Sequence, residues 1–213
     1  MDLPAEDVAG RLLDRYGRTC AHQAGIRLLD EPGPLFQLLV LAQLLSARIG
    51  AAVAVAAAGE LYGAGWTTAA RMRDASRPRV VAALGRAGYR RYDERTATQL
   101  RDMAGLVLDR YGGDLRRLAD TADRDVGRAA SLVQEVKGIG PTGAAVFLRE
   151  VQQVWPWVRP CLDERACAGA RRIGLPDEVN RLATMVEPND LARFAAGLVR
   201  VSLLPKGRDP FVG

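Results

Sequence analysis

The sequence predicts an all-α fold, and three observations carry that prediction. Apolar residues recur at spacings of three and four, as Val8, Leu12 and Tyr16 do, which is the period of an amphipathic helix. Glycine pairs such as Gly112 and Gly113 interrupt these segments at intervals that suit helices. No stretch alternates polar and apolar residues for long enough to predict a strand.

Along the first half of the chain, glycine, proline and hydroxyl side chains mark where helices start and stop. A hydroxyl group caps the free amides of a first turn, and proline fits that turn because it has no amide hydrogen to satisfy. The segments bounded in this way are the helix that Gly17 ends, the apolar helix 35–47 behind Pro32-Gly33-Pro34, the alanine-rich helix 51–62, a short helix from Thr67 or Thr68 to Met72, the helix that Ser76 caps with Pro78 in its first turn, and the long helix 91–111.

The second half of the chain continues the helical pattern. Asp123 is expected to start a helix that carries Val126, Ala129 and Val133 on one face. The helices predicted beyond it are 141–154, 163–173, 176–186 and 189–204.

Two proline-rich points divide the predicted helices into lobes. One is Pro32-Gly33-Pro34, and the other is the segment 155–160, which contains two tryptophans and two prolines. If the chain crosses between lobes at both points, the middle forms one lobe and the two ends form the other. The predicted lobes are 33–155, and 1–32 together with 156–213. Asp163 then lies beside the seam, where binding clefts form.

The composition restricts the class of protein. The 213 residues are 48% hydrophobic and 26% charged, which is ordinary for a globular chain with its own core. No apolar run approaches the roughly 18 residues of a membrane helix. Residues 1–6 show neither the basic nor the apolar region of a secretory signal. We therefore expect a cytoplasmic protein without a membrane partner, with a monomer as the default.

The basic side chains permit binding to nucleic acid without requiring it. The formal net charge is +5, and such an excess attracts phosphate. Only Lys137 and Lys206 are lysines, and all the other basic side chains are arginines. A GC-rich genome explains that bias without any function.

The cysteines favour neither zinc nor a cluster. Cys20, Cys161 and Cys167 form no CxxC pair, and His22 is the single histidine. A zinc site or a cubane iron–sulfur cluster needs four ligands. A Cys3His site from these residues would have unusual spacing, so free thiols are the favoured interpretation. The single histidine also disfavours catalysis by a Ser–His or Cys–His pair.

The most informative motif is a glycine turn between two helical segments. Gly138 and Gly140 flank one apolar residue, which predicts a helical hairpin over about 124–153. In one interpretation the glycines only permit a tight turn. In the other, the amides of Gly138, Gly140 and Thr142 converge on a DNA phosphate at the helix start. Lys137 is then placed to add a phosphate contact.

Four segments keep a shared order and spacing between about residue 33 and residue 175. They are Leu44-Leu45-Ser46-Ala47-Arg48, Gly88-Tyr89-Arg90-Arg91-Tyr92, Val136-Lys137-Gly138-Ile139-Gly140 and Leu162-Asp163. In this order they resemble the Leu-Ser-Ala-Gln helix end, the glycine-tyrosine loop, the Leu-Pro-Gly-Val-Gly hairpin and the Val-Asp of the helix-hairpin-helix DNA glycosylase superfamily. The endonuclease III branch is the most similar. The resemblance implies two helical lobes with a cleft between them and a role in base excision repair.

The resemblance implies an enzyme that flips a base out of duplex DNA and hydrolyses its N-glycosidic bond. Asp163 matches the catalytic aspartate, which stabilises positive charge on the sugar and orients or deprotonates a water. Asp163 is also a plausible N-cap, and both roles can hold together. The DNA-binding residues implied are Lys137, Gly138, Ile139, Gly140, Thr142, Gly143, Arg48 and Tyr89. The implied partner is double-stranded DNA of the nucleoid, and a potassium or sodium ion at the hairpin is a candidate cofactor.

Four departures from the family pattern narrow this expectation. One is the stretch between the hairpin and Asp163, which is about three residues longer than usual in the family. Thr142, followed by Gly143, stands where lyase-active members carry a lysine, and a Schiff base needs a primary amine. We therefore expect a monofunctional glycosylase. No four-cysteine segment follows Leu204, so no iron–sulfur cluster is expected. Arg48 replaces the glutamine that fills the gap left by the flipped base. Arg48 and Tyr89 are the candidates to fill that gap, and we call them the candidate plugs. In the alternative interpretation, Arg48 contacts a phosphate and Tyr89 is a packed loop residue.

Two other classes of function stay open. A protein of this fold that has lost its chemistry would bind duplex DNA with a steep salt dependence and release no base. A carboxylate-dependent hydrolase would instead respond to a small metabolite. The damaged or mismatched base is not predicted by the sequence, because base choice depends on the shape of a pocket.

Overall fold

The computed structural model describes residues 4–211, and within them the chain is helical without a β-strand. This confirms the predicted all-α class. The chain divides into two compact units. One is made of residues 20–148, and the other is made of the residues up to 19 together with those from 149 onward.

The helices of the described residues are short to medium in length. In chain order they are α1 (Ala5–Tyr16), α2 (Cys20–Gln23), α3 (Pro32–Ser46), α4 (Ala51–Gly63), α5 (Ala69–Arg73), α6 (Arg77–Arg86), α7 (Asp93–Tyr111), α8 (Arg116–Thr121), α9 (Val126–Gln134), α10 (Pro141–Val151), α11 (Glu164–Arg172), α12 (Val179–Ala183) and α13 (Leu191–Ser202). Single 3-10 turns lie at Pro156–Val158 and Pro188–Asp190.

Local capping chemistry sets several of these boundaries. The Thr68 hydroxyl accepts the Arg71 amide at the start of α5, at 3.4 Å. The Asp125 carboxylate accepts the amide of the third residue of α9 at 2.7 Å. At the end of α7, Gly112 takes a left-handed φ of 60°, which glycine adopts without steric cost.

Some predicted boundaries are wrong for identifiable reasons. Asp123 does not start α9, because it sits in the preceding turn with a φ of 49° and Asp125 is the cap. Ser76 stands at the N-cap position of α6, but its side chain makes no capping hydrogen bond. The sequence did not predict α2 or α8, since helices of four and six residues are too short to display a period.

The boundaries of the two units differ from those of the predicted lobes. The predicted lobes are 33–155 for one, and 1–32 with 156–213 for the other. The boundaries fall between Thr19 and Cys20 and between Leu148 and Arg149. Pro32-Gly33-Pro34 forms the first turn of α3, where proline is well tolerated.

The centre of the 20–148 unit is α3. This helix is apolar apart from Gln37, Gln43 and Ser46, as expected of a helix largely enclosed by others. Its fully buried leucines are Leu35, Leu38, Leu39, Leu41 and Leu44. α4 packs along it, and the Tyr62 hydroxyl donates a 2.6 Å hydrogen bond to the Gln37 carbonyl. Burial raises the pKa of Tyr62 well above its usual value.

The unit formed by both chain ends is organised around α13. This helix packs against α1 and α11, and Leu12, Phe194 and Leu198 belong to its core. The closest approach is at Gly169 of α11, where an added Cβ would lie 1.9 Å from the Leu198 carbonyl oxygen. A glycine is therefore required at this crossing.

No helix within residues 4–211 combines the length and the apolar character needed to cross a membrane. Residues 1–3, which contribute to the expectation of no secretory signal, lie outside the described residues. Residues 212 and 213, the end of the segment expected to hold no cluster ligands, lie outside them as well.

We predict that Gly169→Ala destabilises the unit built around α13. The new methyl group has backbone rather than a flexible side chain in its way, so α11 and α13 must separate, at a cost of about 3 kcal/mol. Gly59→Ala in α4 is the matched control, because a Cβ there meets nothing within 4 Å, and it should stabilise by about 0.5 kcal/mol. Urea denaturation of both variants measures the difference; equal midpoints would contradict the close crossing.

Candidate functional site

The turn between α9 and α10 is anchored by apolar residues and exposes its glycines. Val136 and Ile139 are buried, and the Ile139 amide donates to the Val136 carbonyl at 2.9 Å. Gly138, with a φ of 99°, is exposed, and Gly140 is half-buried. The Ile139 side chain, expected at the DNA interface, is therefore an anchor of the turn.

Several amides of this turn have no backbone hydrogen-bond partner. Among the described residues, the amides of Gly138, Gly140 and Thr142 have no backbone acceptor. The amides in the first turn of α10 have no acceptor within the helix, because no turn precedes them. They form the positive end of the helix dipole. Thr142 is exposed. The arrangement suits an anion such as phosphate.

Lys137 adds a mobile positive charge beside these amides. Its side chain is 73% exposed, and its Nζ lies 4.0 Å from the Asp102 carboxylate. An exposed pair at this distance is worth little, so a phosphate can compete for the ammonium group.

Two glycines of the motif have packing roles that the sequence did not reveal. A Cβ on Gly138 would lie 2.8 Å from Gln99 Nε2 in α7. A Cβ on Gly143 would lie 2.0 Å from Ser46 Oγ in α3. Gly143 is buried, so its contribution is close packing of α10 on α3, whereas the sequence suggested a DNA contact.

The two candidate plugs differ in exposure. Arg48, just beyond α3, is exposed. Tyr89 is 1% exposed, and its hydroxyl accepts a hydrogen bond from Thr96 at 3.5 Å. Burial raises the pKa of Tyr89. Its position matches the packed loop residue that was the alternative, while Arg48 is free to extend from the surface.

A cavity of about 240 Å³ lies in the 20–148 unit beside the glycine turn. Its walls come from the end of α3, the loop before α7, the first half of α7 and the turn itself. The residues that line it are Gln43, Ser46, Ala47, Arg48, Tyr89, Tyr92, Arg95, Thr96, Gln99 and Gly138. Three of the four segments of the family resemblance therefore meet around one cavity.

Asp163, the candidate catalytic residue, has both carboxylate oxygens engaged. Its Oδ1 accepts the Ala166 amide at 3.0 Å as the N-cap of α11. Its Oδ2 accepts a hydrogen bond from the Arg149 guanidinium, a partner that the sequence analysis missed. The side chains are 17% and 6% exposed, respectively. The only sequence signal for Arg149 is its charge directly after an apolar stretch of α10, where Glu150 follows it.

The surroundings of this pair are polar, and Gln152 connects their backbone groups by hydrogen bonds. That side chain is fully buried, donates to the carbonyls of Arg149 and Cys161, and accepts the Cys161 amide at 3.0 Å. Glu150 is buried as well. Arg149 Nε has no hydrogen-bond partner.

The nearby Cys161 thiol is shifted away from ionisation. Burial raises the pKa of Cys161 to about 11, an effect that the charge of Arg149 opposes and that of Asp163 reinforces. The thiolate is the reactive form, so this shift disfavours Cys161 as a nucleophile at neutral pH. All three cysteines are free, and within residues 4–211 no group of three or more His, Cys, Asp or Glu side chains is arranged to hold a metal.

The sequence comparisons match this chain to no family model, no curated protein and no solved structure. Any function therefore has to be argued from its own residues.

We predict that the Asp163–Arg149 pair is energetically coupled. Arg149→Met leaves a carboxylate that is largely buried without its cation, and this should lower the free energy of unfolding by about 2 kcal/mol. Adding Asp163→Asn removes the stranded charge but keeps a good capping residue. The double variant should therefore recover about 1 kcal/mol in urea denaturation. Additive losses would show that the two groups do not interact.

A second prediction concerns Gly143. Gly143→Ala should destabilise the 20–148 unit by about 2 kcal/mol, because the methyl group displaces Ser46 Oγ from its 2.7 Å bond to the Ala42 carbonyl. Ser46→Ala in the same chain removes the clashing oxygen and should restore part of the loss. If it restores nothing, α10 does not pack on α3 at this point.

Proposed function

We propose that this protein is a monofunctional DNA glycosylase of helix-hairpin-helix architecture, with two helical lobes. It binds duplex DNA through the turn at 138–142 and hydrolyses the N-glycosidic bond of an extruded base. The observation that carries the proposal is that the amides of Gly138, Gly140 and Thr142 have no backbone acceptor. In sequence, a carboxylate at the start of α11 follows this turn.

The turn supplies sequence-independent affinity. Its amides and the start of α10 bind one phosphate, and Lys137 and Arg48 add positive charge. Contacts of this kind position a protein on DNA without reading bases. Because they displace condensed counterions, binding falls steeply with salt.

Asp163 supplies the chemistry of the proposed reaction. As the C1′–N bond breaks, its electron pair leaves with the base and positive charge grows on the sugar, which the carboxylate stabilises. Water adds its oxygen to C1′ and gives up a proton to Asp163 or to solvent. A carboxylate has about four acceptor positions, so two remain after the Ala166 and Arg149 bonds. Arg149 acts as a positioning residue.

The expected product is an intact abasic site. Strand cleavage through a Schiff base needs an amine near the sugar, and the family's lysine position holds Thr142.

The hairpin can also accommodate the potassium or sodium ion that the resemblance implies. The carbonyls of Val136 and Gly140 each accept one backbone hydrogen bond, which leaves a lone pair for a cation. If bound there, such an ion would add positive charge beside the phosphate site, and no chemical step depends on it.

A second candidate is a DNA-binding protein of the same fold without excision. The Arg149–Asp163 ion pair favours it, because a positive charge beside the carboxylate opposes its action on a cationic sugar. The two candidates bind the same DNA and differ only in base release.

We predict that Asp163→Asn abolishes base release and leaves binding to abasic-site DNA within a few-fold. Asparagine keeps the cap but cannot stabilise the charged sugar. Wild type and variant are incubated with duplexes that each carry one damaged or mismatched base. Alkali then reveals abasic sites, and an untreated half reveals strand cleavage. Equal turnover by the variant excludes Asp163 from the mechanism, and release from no duplex supports the second candidate.

We predict that Gly140→Asp weakens binding to all DNA sequences alike, by about tenfold, because a carboxylate then faces the phosphate. Gly140→Asn is the control of matched shape, since a Cβ at this position meets nothing within 4 Å. It should stay within about twofold of wild type in a fluorescence-anisotropy titration. Equal affinities for the two variants would show that the turn does not touch DNA.

A further inference from the structure

We infer that the cavity beside the glycine turn is a nucleobase pocket in which Gln43 reads an N–H group of the base. This inference rests on the proposed function and adds a specificity-determining site to it. The pocket lies wholly within residues 20–148.

Gln43 provides a hydrogen-bond acceptor that has no partner. Gln43 is 3% exposed and lines the cavity, and its Oε1 has no hydrogen-bond partner. A buried amide oxygen left unpaired costs about 1–3 kcal/mol. A ligand that brings a donor to this oxygen recovers that cost.

The orientation of the Gln43 amide is fixed by the turn. Its Nε2 donates to the Lys137 carbonyl at 3.4 Å. A carbonyl only accepts, so rotating the amide would place two acceptors against each other. Gln43 therefore offers the cavity an acceptor, which matches an amine or ring N–H of a base.

Gln99 provides a second side-chain amide in the cavity, and its hydrogen-bonding capacity is free. Gln99 is 8% exposed, lines the same cavity and makes no side-chain hydrogen bond with another described residue. Its amide offers both a donor and an acceptor. Two glutamine amides in one small cavity can match the alternating donors and acceptors along the edge of a base, as glutamine does when it reads adenine.

The rim of the cavity suits the rest of a nucleotide. Arg48 and Arg95 line it, are exposed, and form no salt bridge within the described residues. Tyr92 is half-buried in the same wall and presents an aromatic ring. Guanidinium groups bind phosphate, and an aromatic face stacks on a base.

The size of the cavity suits a single base. Its volume of about 240 Å³ lies below the roughly 300–1,000 Å³ of pockets for drug-sized ligands. A base of one or two fused rings therefore matches the cavity better than a larger cofactor does.

The test uses two pairs of bases that differ by one exocyclic amine. Duplexes carry a single bulged nucleotide: adenine or unsubstituted purine in one pair, cytosine or 2-pyrimidinone in the other. Each pair has nearly equal shape and stacking, but purine and 2-pyrimidinone lack the amine. We expect the full-length protein to bind the amine-bearing member of at least one pair about tenfold more tightly. That is about 1.4 kcal/mol.

The variants assign the discrimination to its residue. Gln43→Met keeps side-chain length, removes the acceptor and should reduce the preference to within about twofold. Gln153→Met replaces an exposed glutamine outside the cavity and should retain the full preference. Thermal unfolding verifies that both variants fold; if Gln43→Met does not, Gln43→Ala, which also removes the acceptor, takes its place with the same expected result.

The outcomes separate this inference from the proposed function. Equal binding within both pairs, with duplex binding intact, overturns the base pocket and leaves the proposed function standing. Failure to bind any duplex overturns the proposed function. In that case, calorimetric titration with free adenosine, cytidine and their amine-free analogues decides the pocket: an amine-dependent signal supports it, and no signal overturns it.

Discussion

The candidate DNA-binding surface depends on the close contact between α10 and α3 at Gly143. There is no room for a side chain, because a Cβ would lie 2.0 Å from Ser46 Oγ. α3 is buried on nearly every side, so it is a rigid support. Held against it, and anchored by Val136 and Ile139, the glycines of the turn lose the freedom they would have in an open loop. Their amides are ordered before any anion arrives.

The same support links the turn to the cavity. Gln43 and Ser46 lie three residues apart on α3, and both line the cavity. Ser46 also contacts Gly143. The amide of Gln43 reaches the carbonyl of Lys137. In the proposed function, phosphate binding at the turn and base binding in the cavity would both act on this hydrogen bond, which is a physical basis for coupling between them.

Asp163 faces two opposing demands. As a cap and ion-pair partner it stabilises its unit, and these bonds fix its orientation. As a catalytic carboxylate it would need uncompensated negative charge toward a sugar. The guanidinium of Arg149 fixes the orientation of the Asp163 carboxylate but offsets its negative charge. The balance between these two effects distinguishes the proposed glycosylase from a protein that only binds DNA.

The sequence by itself determined the all-α class, the order of the main helices, the exposed glycine turn and the cap at Asp163. These features arise from interactions within a few residues, which periodicity and capping patterns record. Only the tertiary structure decided that Arg149 meets Asp163, that Tyr89 is buried, that Gly143 packs on Ser46, and that Gln43 and Gln99 share a cavity. Those contacts join residues distant in the chain, and their geometry depends on how whole helices pack, so no local pattern encodes them.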